Sequence, residues 1–325
     1  MKRSTLAAAL AATGLAASGL QPGAAADYPT RPVRLVVPFA PGAAQDLTGR
    51  LVAQKFSEAW GQQVIVDNRP GAGSNIGADI VARAVPDGHT LLLCNEAMAI
   101  NATLHPKLPF DPLKDFAPIS LLLVNPRVFV AHPSLPAATI KDLIAVARTK
   151  PGSVRYGSSG IGTGPHLAGA LLSSMAKVEM IHVPYKGAAP ALVDTMGGQI
   201  QIVASTILTA MPHLQSGKLK ALAVTSAKRS SALPDVPTVA ENALPGFEAT
   251  AWTMLAVPAK VPRSIVTRIH ADTVRFLEAP DTRKRLAAEG AELMASTPEQ
   301  AGAHLRAEIK RWAVVIKEAG VRAEN

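Results

Sequence analysis

The sequence predicts an α/β protein built from two successive units of alternating strands and helices. Short segments rich in Val, Ile and Leu alternate with longer segments in which apolar residues recur every three or four positions. These are the patterns of buried strands and of amphipathic helices. The alternation begins at Val33, restarts after Pro126 and ends in helical patterns near the C-terminus. This order predicts two mainly parallel sheets with helices on both faces.

The first unit has a βαβαβ order. Strand patterns cover residues 33–37, 64–66 and 90–94. The first helix places Leu47, Leu51, Phe56 and Trp60 on one face and ends at Gly61. The second helix follows the small-residue loop 70–75 and carries Ile76, Ile80 and Val81.

The second unit repeats this alternation without a sequence repeat that can be aligned. Strands are predicted at residues 128–131, 154–157, 181–185, 199–203 and 219–224, with a helix at residues 140–148. A second helix, carrying Leu167, Leu171, Leu172 and Met175, follows the Ser/Gly-rich loop 158–165.

The C-terminal region is predicted to return to the first unit. One helix covers residues 264–277, and the last begins at Thr297, where Gln300 completes a capping box, and ends at Gly320. The first unit has only two helices of its own, so these helices are needed to cover its sheet. We therefore expect a discontinuous domain 1 (residues 27–125 plus 247–325), a domain 2 of residues 126–246, two crossings and a cleft between them.

Residues 1–26 have the pattern of a cleaved secretory signal peptide. Lys2 and Arg3 precede an Ala/Leu-rich segment, and Ala24-Ala25-Ala26 matches a signal peptidase site. A membrane anchor is the alternative, but the apolar segment is shorter than the roughly 20 residues that span a bilayer. Cleavage after Ala26 predicts an exported protein. Loss of Lys2 and Arg3 lowers the formal net charge from +9 by two, to +7.

Composition and motifs argue against several function classes. Aromatic residues make up only 4% of the chain and the basic residues are scattered, which does not favour nucleic-acid binding. Cys94 is the only cysteine, so no intrachain disulfide can form. The sequence has no Gly-x-Ser-x-Gly, dinucleotide-binding, phosphate-loop or zinc-binding motif, so we predict neither a cofactor nor a metal site. His166 follows the Ser/Gly loop and is either a ligand contact or a packed structural histidine.

Four small-residue or polar loops follow predicted strands, at residues 39–46, 71–77, 95–101 and 158–166. In open α/β sheets, ligands bind outside the carboxyl ends of the strands. The helix N-termini there offer unpaired N–H groups and a partial positive charge. Two such helix starts facing each other could hold a carboxylate without an arginine, although each loop alone could be an ordinary turn.

Long segments of the chain resemble the tripartite tricarboxylate transporter receptors, the Bug family. They include "VPFAPG" (residues 37–42), "VDNRPGAGSNIGADIVARAVPDGHTLLL", "LPFDPLKDFAPISLL", "YGSSGIGTGPHLAG" and "HVPYKGAAPAL". The resemblance covers residues 28–320 in the family's order. It implies a type II periplasmic-binding-protein (Venus-flytrap) fold with two crossing strands, which closes on a small carboxylate.

The resemblance also implies the site residues. Two loops of the family hold one ligand carboxylate, and here they correspond to residues 40–45 and 158–163. Tyr185 is expected either to line the site or only to support the fold. The full expected set is Phe39, Ala40, Gly42, Ala43, Ala44, Gln45, Ser74, Asn75, Glu96, Ser158, Gly162, Thr163, His166, Tyr185 and Ser205.

Three positions depart from the pattern that the resemblance implies. Ala43 and Ala44 follow Gly42, where the family commonly has further glycine, and their methyl groups would narrow the site. Glu96 replaces a small polar residue, and Ser205 replaces an acid. Glu96 is expected either to accept a hydrogen bond from the distal end of the ligand, or to cap the next helix or pair at the rim. The first possibility favours a monocarboxylate with a polar distal group over a tricarboxylate.

The sequence therefore predicts a monomeric periplasmic solute-binding receptor. It would bind a small carboxylate ligand and deliver it to integral-membrane transporter subunits, with no nucleic-acid partner. The alternative is an exported α/β hydrolase that acts on a carboxylate ester or amide, which would require a nucleophile and a base within reach of each other.

Overall fold

The computed structural model describes residues 28–105, 107–288 and 290–322, without the side chains of Arg285 and Ala288. The predicted signal peptide and its cleavage site therefore lie outside the described residues. The described chain is an α/β fold with two sheets flanked by helices, as predicted. None of its helices is long and apolar enough to cross a membrane.

The strands and helices alternate through most of the described chain. The strands are β1 (Val33–Val37), β2 (Val64–Asn68), β3 (Thr90–Asn95), β4 (Phe116–Asn125), β5 (Arg127–Ala131), β6 (Arg155–Ser158), β7 (Ile181–Pro184), β8 (Ile202–Thr206), β9 (Lys220–Val224), β10 (Ala251–Pro258) and β11 (Glu292–Leu293). The helices are α1 (Ala44–Trp60), α2 (Asn75–Ala82), α3 (Ala97–Leu104), α4 (Ile140–Thr149), α5 (Gly164–Ala176), α6 (Ala188–Met196), α7 (Ile207–Gln215), α8 (Val239–Asn242), α9 (Arg263–Glu278), α10 (Pro280–Ala288) and α11 (Pro298–Glu318).

The sheets are mixed, although most strands of each run in one direction, as predicted. The first sheet has the order β11-β4-β10-β3-β1-β2, and β10 is antiparallel to both of its neighbours. The second has the order β7-β6-β8-β5-β9, and β5 is antiparallel to both of its neighbours. Both β5 and β10 enter their sheet from a crossing at the carboxyl ends of the other strands, so they run in the opposite direction.

The chain crosses between the two units twice, as predicted. β4 ends at Asn125 and β5 begins at Arg127 in the other sheet. On the return, the Ala249 N–H donates to the Thr225 carbonyl at 3.0 Å, and β10 then pairs with β4. Phe247 packs against Phe129 with ring centroids 6.2 Å apart. The chain thus stays with the second unit through Ala249.

Several elements were not predicted, and one region was assigned to the wrong class. Residues 97–101, predicted as part of a loop, form the start of α3. β4, β10, α6 and α7 were missed, because short apolar segments do not distinguish a strand from a helix and Pro212 interrupts the pattern of α7. β8 begins at Ile202 rather than at residue 199, because the N–H of Gln199 closes a turn onto the Asp194 carbonyl.

The last helix, α11, links the two units. Its predicted capping box is present, with the Thr297 hydroxyl accepting from the Gln300 N–H. The helix packs on α3 and β4 of the first unit and on α5 of the second. The indole N–H groups of Trp252 and Trp312 both donate to Glu308 Oε2 at 3.0 Å. Burial raises the pKa of Glu308. Arg311 and the two indole N–H groups lower it, but only by part of that rise.

Candidate ligand-binding cleft

A cavity of about 720 Å³ lies between the two units. Its walls come mostly from the carboxyl ends of strands in both sheets, the geometry expected for a ligand site in an α/β fold. All four loops singled out in the sequence contribute. The residues that they supply are Phe39 and Ala40, residues 71–74, residues 95–97 with Ile100 and Asn101, and Ser159 with residues 161–165.

The first loop is held in place by the buried carboxylate of Asp46. Asp46 Oδ2 accepts from the Gly42 N–H at 2.8 Å and from Arg50 Nε at 2.9 Å, and Oδ1 accepts from Asn68 Nδ2 at 2.9 Å. The same Asn68 nitrogen donates to the Phe39 carbonyl at 3.0 Å. Burial disfavours the charge of Asp46, but these hydrogen bonds outweigh it and lower its pKa. Asp46 was not among the site residues expected from the sequence.

The expected residues of this loop therefore have different roles. Phe39 and Ala40 line the cavity, whereas Gly42, Ala43, Ala44 and Gln45 lie behind them at the start of α1. The Gly42 N–H is engaged by Asp46, and Gln45 Oε1 accepts from the Thr253 hydroxyl at 3.1 Å. The expectation that the N–H groups of this whole loop are free for an anion does not hold at Gly42, nor at Ala43, whose N–H donates to the Ala40 carbonyl at 3.2 Å.

The Ser/Gly loop forms the facing wall and has its own internal hydrogen bonds. Gly162 and Thr163 line the cavity, and the Thr163 hydroxyl donates to the Gly160 carbonyl at 2.7 Å. Ser158 is fully buried and is not among the lining residues; its neighbour Ser159 is. The Ser158 hydroxyl contacts His182 Nε2 at 2.7 Å and donates to the Gly160 carbonyl at 3.0 Å.

His166 lies behind the Ser/Gly loop rather than in the cavity. Its Nδ1 accepts from the Gly162 N–H at 3.0 Å, and its ring stacks on His182 with centroids 3.7 Å apart. Both histidines line a separate pocket on the other side of the loop. The Ser158–His182 contact resembles a nucleophile–base pair, but Ser158 is inaccessible, and within the described residues no carboxylate is hydrogen-bonded to His182.

The two stacked histidines predict a loss of stability in mild acid. Burial lowers the pKa of each from 6.5 to about 4, and for His166 the neighbouring His182 adds to this effect. Between those pH values the unfolded chain binds more protons than the folded protein, so stability is lost as pH falls. We expect the pair to contribute on the order of 1–3 kcal/mol to the loss of unfolding free energy between pH 6.5 and 4.

Urea unfolding at pH 7 and pH 4 tests this expectation. In a His166→Gln/His182→Gln protein, the loss on acidification should shrink by that amount, whereas His213→Gln, in α7, should leave it unchanged. An equal loss in all three proteins would contradict the prediction.

Three other expected residues have contacts that define their position. Ser74 lines the cavity with a left-handed φ of 79°, while Asn75 is buried beside it and accepts from Asn101 Nδ2 at 2.9 Å. The Tyr185 hydroxyl donates to Asp194 Oδ2 at 2.7 Å, and Tyr185 is not among the cavity-lining residues. Burial and Asp194 raise the pKa of Tyr185 to about 12. Of its two expected roles, Tyr185 therefore has the supporting one in this structure.

Glu96 and Arg127 form a buried ion pair in the cavity wall. Arg127 Nη2 donates to Glu96 Oε1 at 2.5 Å, and Nη1 donates to the Ala249 carbonyl at 3.1 Å. The Glu96 side chain does not cap α3. It forms an ion pair, as one of the alternatives expected, but the pair is buried rather than at the rim of the cavity. Arg127 was not among the site residues expected from the sequence. The signal was a charged residue next to Pro126, directly at the start of an apolar strand.

Ser205, at the end of β8, also lines the cavity. Its hydroxyl is buried and has no hydrogen-bond partner in the described part of the chain, and the same is true of Glu96 Oε2. Across the described residues, no group of three or more His, Cys, Asp and Glu side chains is placed to hold a metal ion.

Comparison with known proteins assigns the chain to a family. Residues 48–321 match the model of the "Tripartite tricarboxylate transporter family receptor". The chain belongs to this family. The receptor is also 34% identical to the protein BugT of Bordetella pertussis over 315 residues. This alignment covers 96% of the receptor and 95% of BugT. The resemblance to the Bug receptors is thus confirmed.

Two solved structures of Rhodopseudomonas palustris proteins are similar to the receptor. Rpa4515 with adipate has a TM-score of 0.79 and 36% identity, and the match covers 91% of the receptor and 99% of Rpa4515. MatC with bound malate has a TM-score of 0.73 and 34% identity, and the match covers 89% of the receptor and 100% of MatC. The family is one of transport receptors, so this protein is a solute-binding receptor rather than an enzyme, and the hydrolase alternative is not supported.

Proposed function

We propose that the receptor is exported to the periplasm, binds a small carboxylate in the cavity between its two units, and delivers it to integral-membrane transporter subunits. Two domains would close on the ligand, one of residues 27–125 plus the C-terminal region and one from residue 126. The contacts of Phe247 and Ala249 favour a return crossing near residue 250 rather than at 247. The structures of Rpa4515 with adipate and of MatC with bound malate support a carboxylate as the ligand, because adipate and malate are both carboxylates.

One observation carries the proposal: loops from the carboxyl ends of strands in both units converge on one cavity. Two of these loops lead into the N-termini of α1 and α5, whose capping positions, Ala43 and Thr163, make no side-chain cap. The N–H groups of Gly42, Ala43, Gly162 and Thr163, before the helices, are already engaged. The N–H groups of the first helical turn have no partner within the helix, and together with a partial positive charge of roughly half a unit they favour a carboxylate at each helix start. Closure over one anion is expected to give a dissociation constant between about micromolar and nanomolar.

Native mass spectrometry of freshly purified protein tests the proposal, together with a thermal-shift screen of small acids. We expect retention of a small acid, or stabilisation by at least one acid of the panel. The matched control for each acid is its amide, which has the same size but no charge and should not stabilise the protein. Equal stabilisation by an acid and its amide, or none by any acid, would contradict carboxylate binding.

Gly162 provides a test of closure. Its φ of 74° is left-handed, and a methyl group added there would lie 2.5 Å from Leu104 Cδ2 on the facing unit. Gly162→Ala should therefore weaken binding of the strongest acid of the panel by about tenfold or more, since about 1.4 kcal/mol of lost closure energy is tenfold in affinity. Gly217→Ala is the matched control, because its φ is 67° and nothing lies within 4 Å. Equal calorimetric affinities in the two variants would contradict closure onto Leu104.

Export predicts a specific mature N-terminus. Because Ala24-Ala25-Ala26 matches a signal peptidase site, the periplasmic protein should begin at Asp27. N-terminal sequencing of the protein from the periplasmic fraction should find Asp27 as the first residue. Size-exclusion chromatography of the same protein should show a monomer. Recovery of a chain that begins at Met1 in the membrane fraction would contradict the prediction.

A further inference from the structure

The cavity wall carries no net formal charge. Among its described lining residues, Arg127 is the one Lys or Arg and Glu96 is the one Asp or Glu, and they pair with each other. Arg127 uses its second terminal nitrogen on the Ala249 carbonyl, so its guanidinium is held on both sides. A second ligand carboxylate would therefore meet a carboxylate–guanidinium pair rather than an available cation.

The ion pair is fixed against the second unit by close packing. A methyl group at Gly164, the first residue of α5, would lie 2.2 Å from Arg127 Nη2 and 2.9 Å from Glu96 Oε1. Glu96 follows β3 of the first unit, so the pair spans the cleft beside the Ser/Gly loop. Its oxygens have little freedom to turn away, and Oε1 is committed to Arg127.

Two buried polar atoms remain unpaired on this wall. Glu96 Oε2 and Ser205 Oγ have no hydrogen-bond partner among the described residues, and the two residues are only 7% and 3% exposed. They come from opposite units, and the other unpaired buried atoms of the described chain lie on His89, Thr282 and His304, which do not line the cavity. A buried acceptor without a partner is unfavourable. A ligand group that donates a hydrogen bond would pair with Glu96 Oε2. The Ser205 hydroxyl can donate to the same ligand group or accept from it.

We propose that Glu96 and Ser205 form a subsite for the distal end of the ligand, and that the ligand is a monocarboxylate with a hydrogen-bond donor there, a hydroxyl or an amino group. This inference rests on the proposed carboxylate binding. It also predicts weaker binding of a dicarboxylate such as adipate, because Arg127 is paired with Glu96 and the described lining has no other Lys or Arg to balance a second ligand carboxylate.

A matched series of acids tests the subsite. Calorimetry with hexanoate, 6-hydroxyhexanoate, 6-aminohexanoate and adipate varies only the distal group, and the four-carbon series of butyrate, 4-hydroxybutyrate, 4-aminobutyrate and succinate repeats the comparison at a shorter length. We expect a hydroxy or amino acid of one series to bind at least tenfold more tightly than the methyl and dicarboxylate members. Tighter binding of adipate or succinate would overturn the subsite but leave carboxylate binding intact. No binding by any member would count against both.

Two variants connect the preference to the named atoms. Ser205→Ala should lower the affinity for the preferred acid about tenfold and leave hexanoate and butyrate unchanged. Glu96→Gln should reduce the preference for an amino group and raise the affinity for the dicarboxylates. Ser226→Ala, a buried serine outside the cavity, is the control. An unchanged ranking of the acids in both Ser205→Ala and Glu96→Gln would overturn the proposal.

Discussion

Replacing Arg127 by methionine is expected to lower the free energy of unfolding by about 3–5 kcal/mol, because it leaves the buried carboxylate of Glu96 without its counter-ion. The Arg127 side chain is only 4% exposed and that of Glu96 9%. The substitution also removes the hydrogen bond to the Ala249 carbonyl, at the second crossing between the units. Urea unfolding followed by circular dichroism measures the effect.

Two controls separate the buried charge from a general effect of losing an arginine. An Arg127→Met/Glu96→Met double variant should recover most of the stability, because two apolar side chains replace the pair. Arg83→Met removes a partner from the exposed pair with Asp79, at 2.8 Å, and should cost less than about 1 kcal/mol. A double variant as unstable as Arg127→Met would show that the uncompensated charge is not the cause.

Replacing Trp312 by alanine is expected to lower the free energy of unfolding by about 3–5 kcal/mol, the usual cost of deleting a large side chain from a packed core. Trp312 is fully buried, and its indole N–H is one of the two that donate to Glu308 Oε2. The variant would thus leave a cavity under α11 and take one donor from a buried carboxyl group. Because α11 packs on both units, the whole described fold should lose stability in a single transition.

Two variants of the same helix serve as controls for Trp312→Ala. Trp312→Phe keeps most of the ring volume and loses the N–H, so it should cost clearly less. Val314→Ala changes a side chain that is 51% exposed and should shift the unfolding free energy by no more than about 0.5 kcal/mol. A separate early transition in Trp312→Ala, with the second unit unfolding later, would contradict the role of α11 in linking the units.

Local sequence patterns were sufficient for much of the fold. The alternation of Val, Leu and Ile located β1, β3 and β5, and helical spacing with a glycine stop located α1, whose C-cap Gly61 has a φ of 64°. The capping box at Thr297 marked the start of α11. These signals succeed because each depends on residues a few positions apart, whose geometry is set by the backbone period. The long segments that resemble the Bug receptors also predicted the family and the two loops expected to hold the ligand.

The sequence alone thus determined the α/β class, the family and the four loops that converge on the cavity. The tertiary structure decided which atoms of those loops are free. Asp46 engages the Gly42 N–H, His166 lies behind Gly162, and Glu96 pairs with Arg127 across a crossing that places residues 31 positions apart in contact. The direction of β5 and β10 was also decided there. The Glu96–Arg127 pair and the strand directions depend on groups that are distant in the chain, and no local period encodes such contacts. The Gly42–Asp46 and Gly162–His166 hydrogen bonds join residues only four positions apart, but the conformation of an irregular loop sets them, and the repeat of a helix or strand does not predict that conformation.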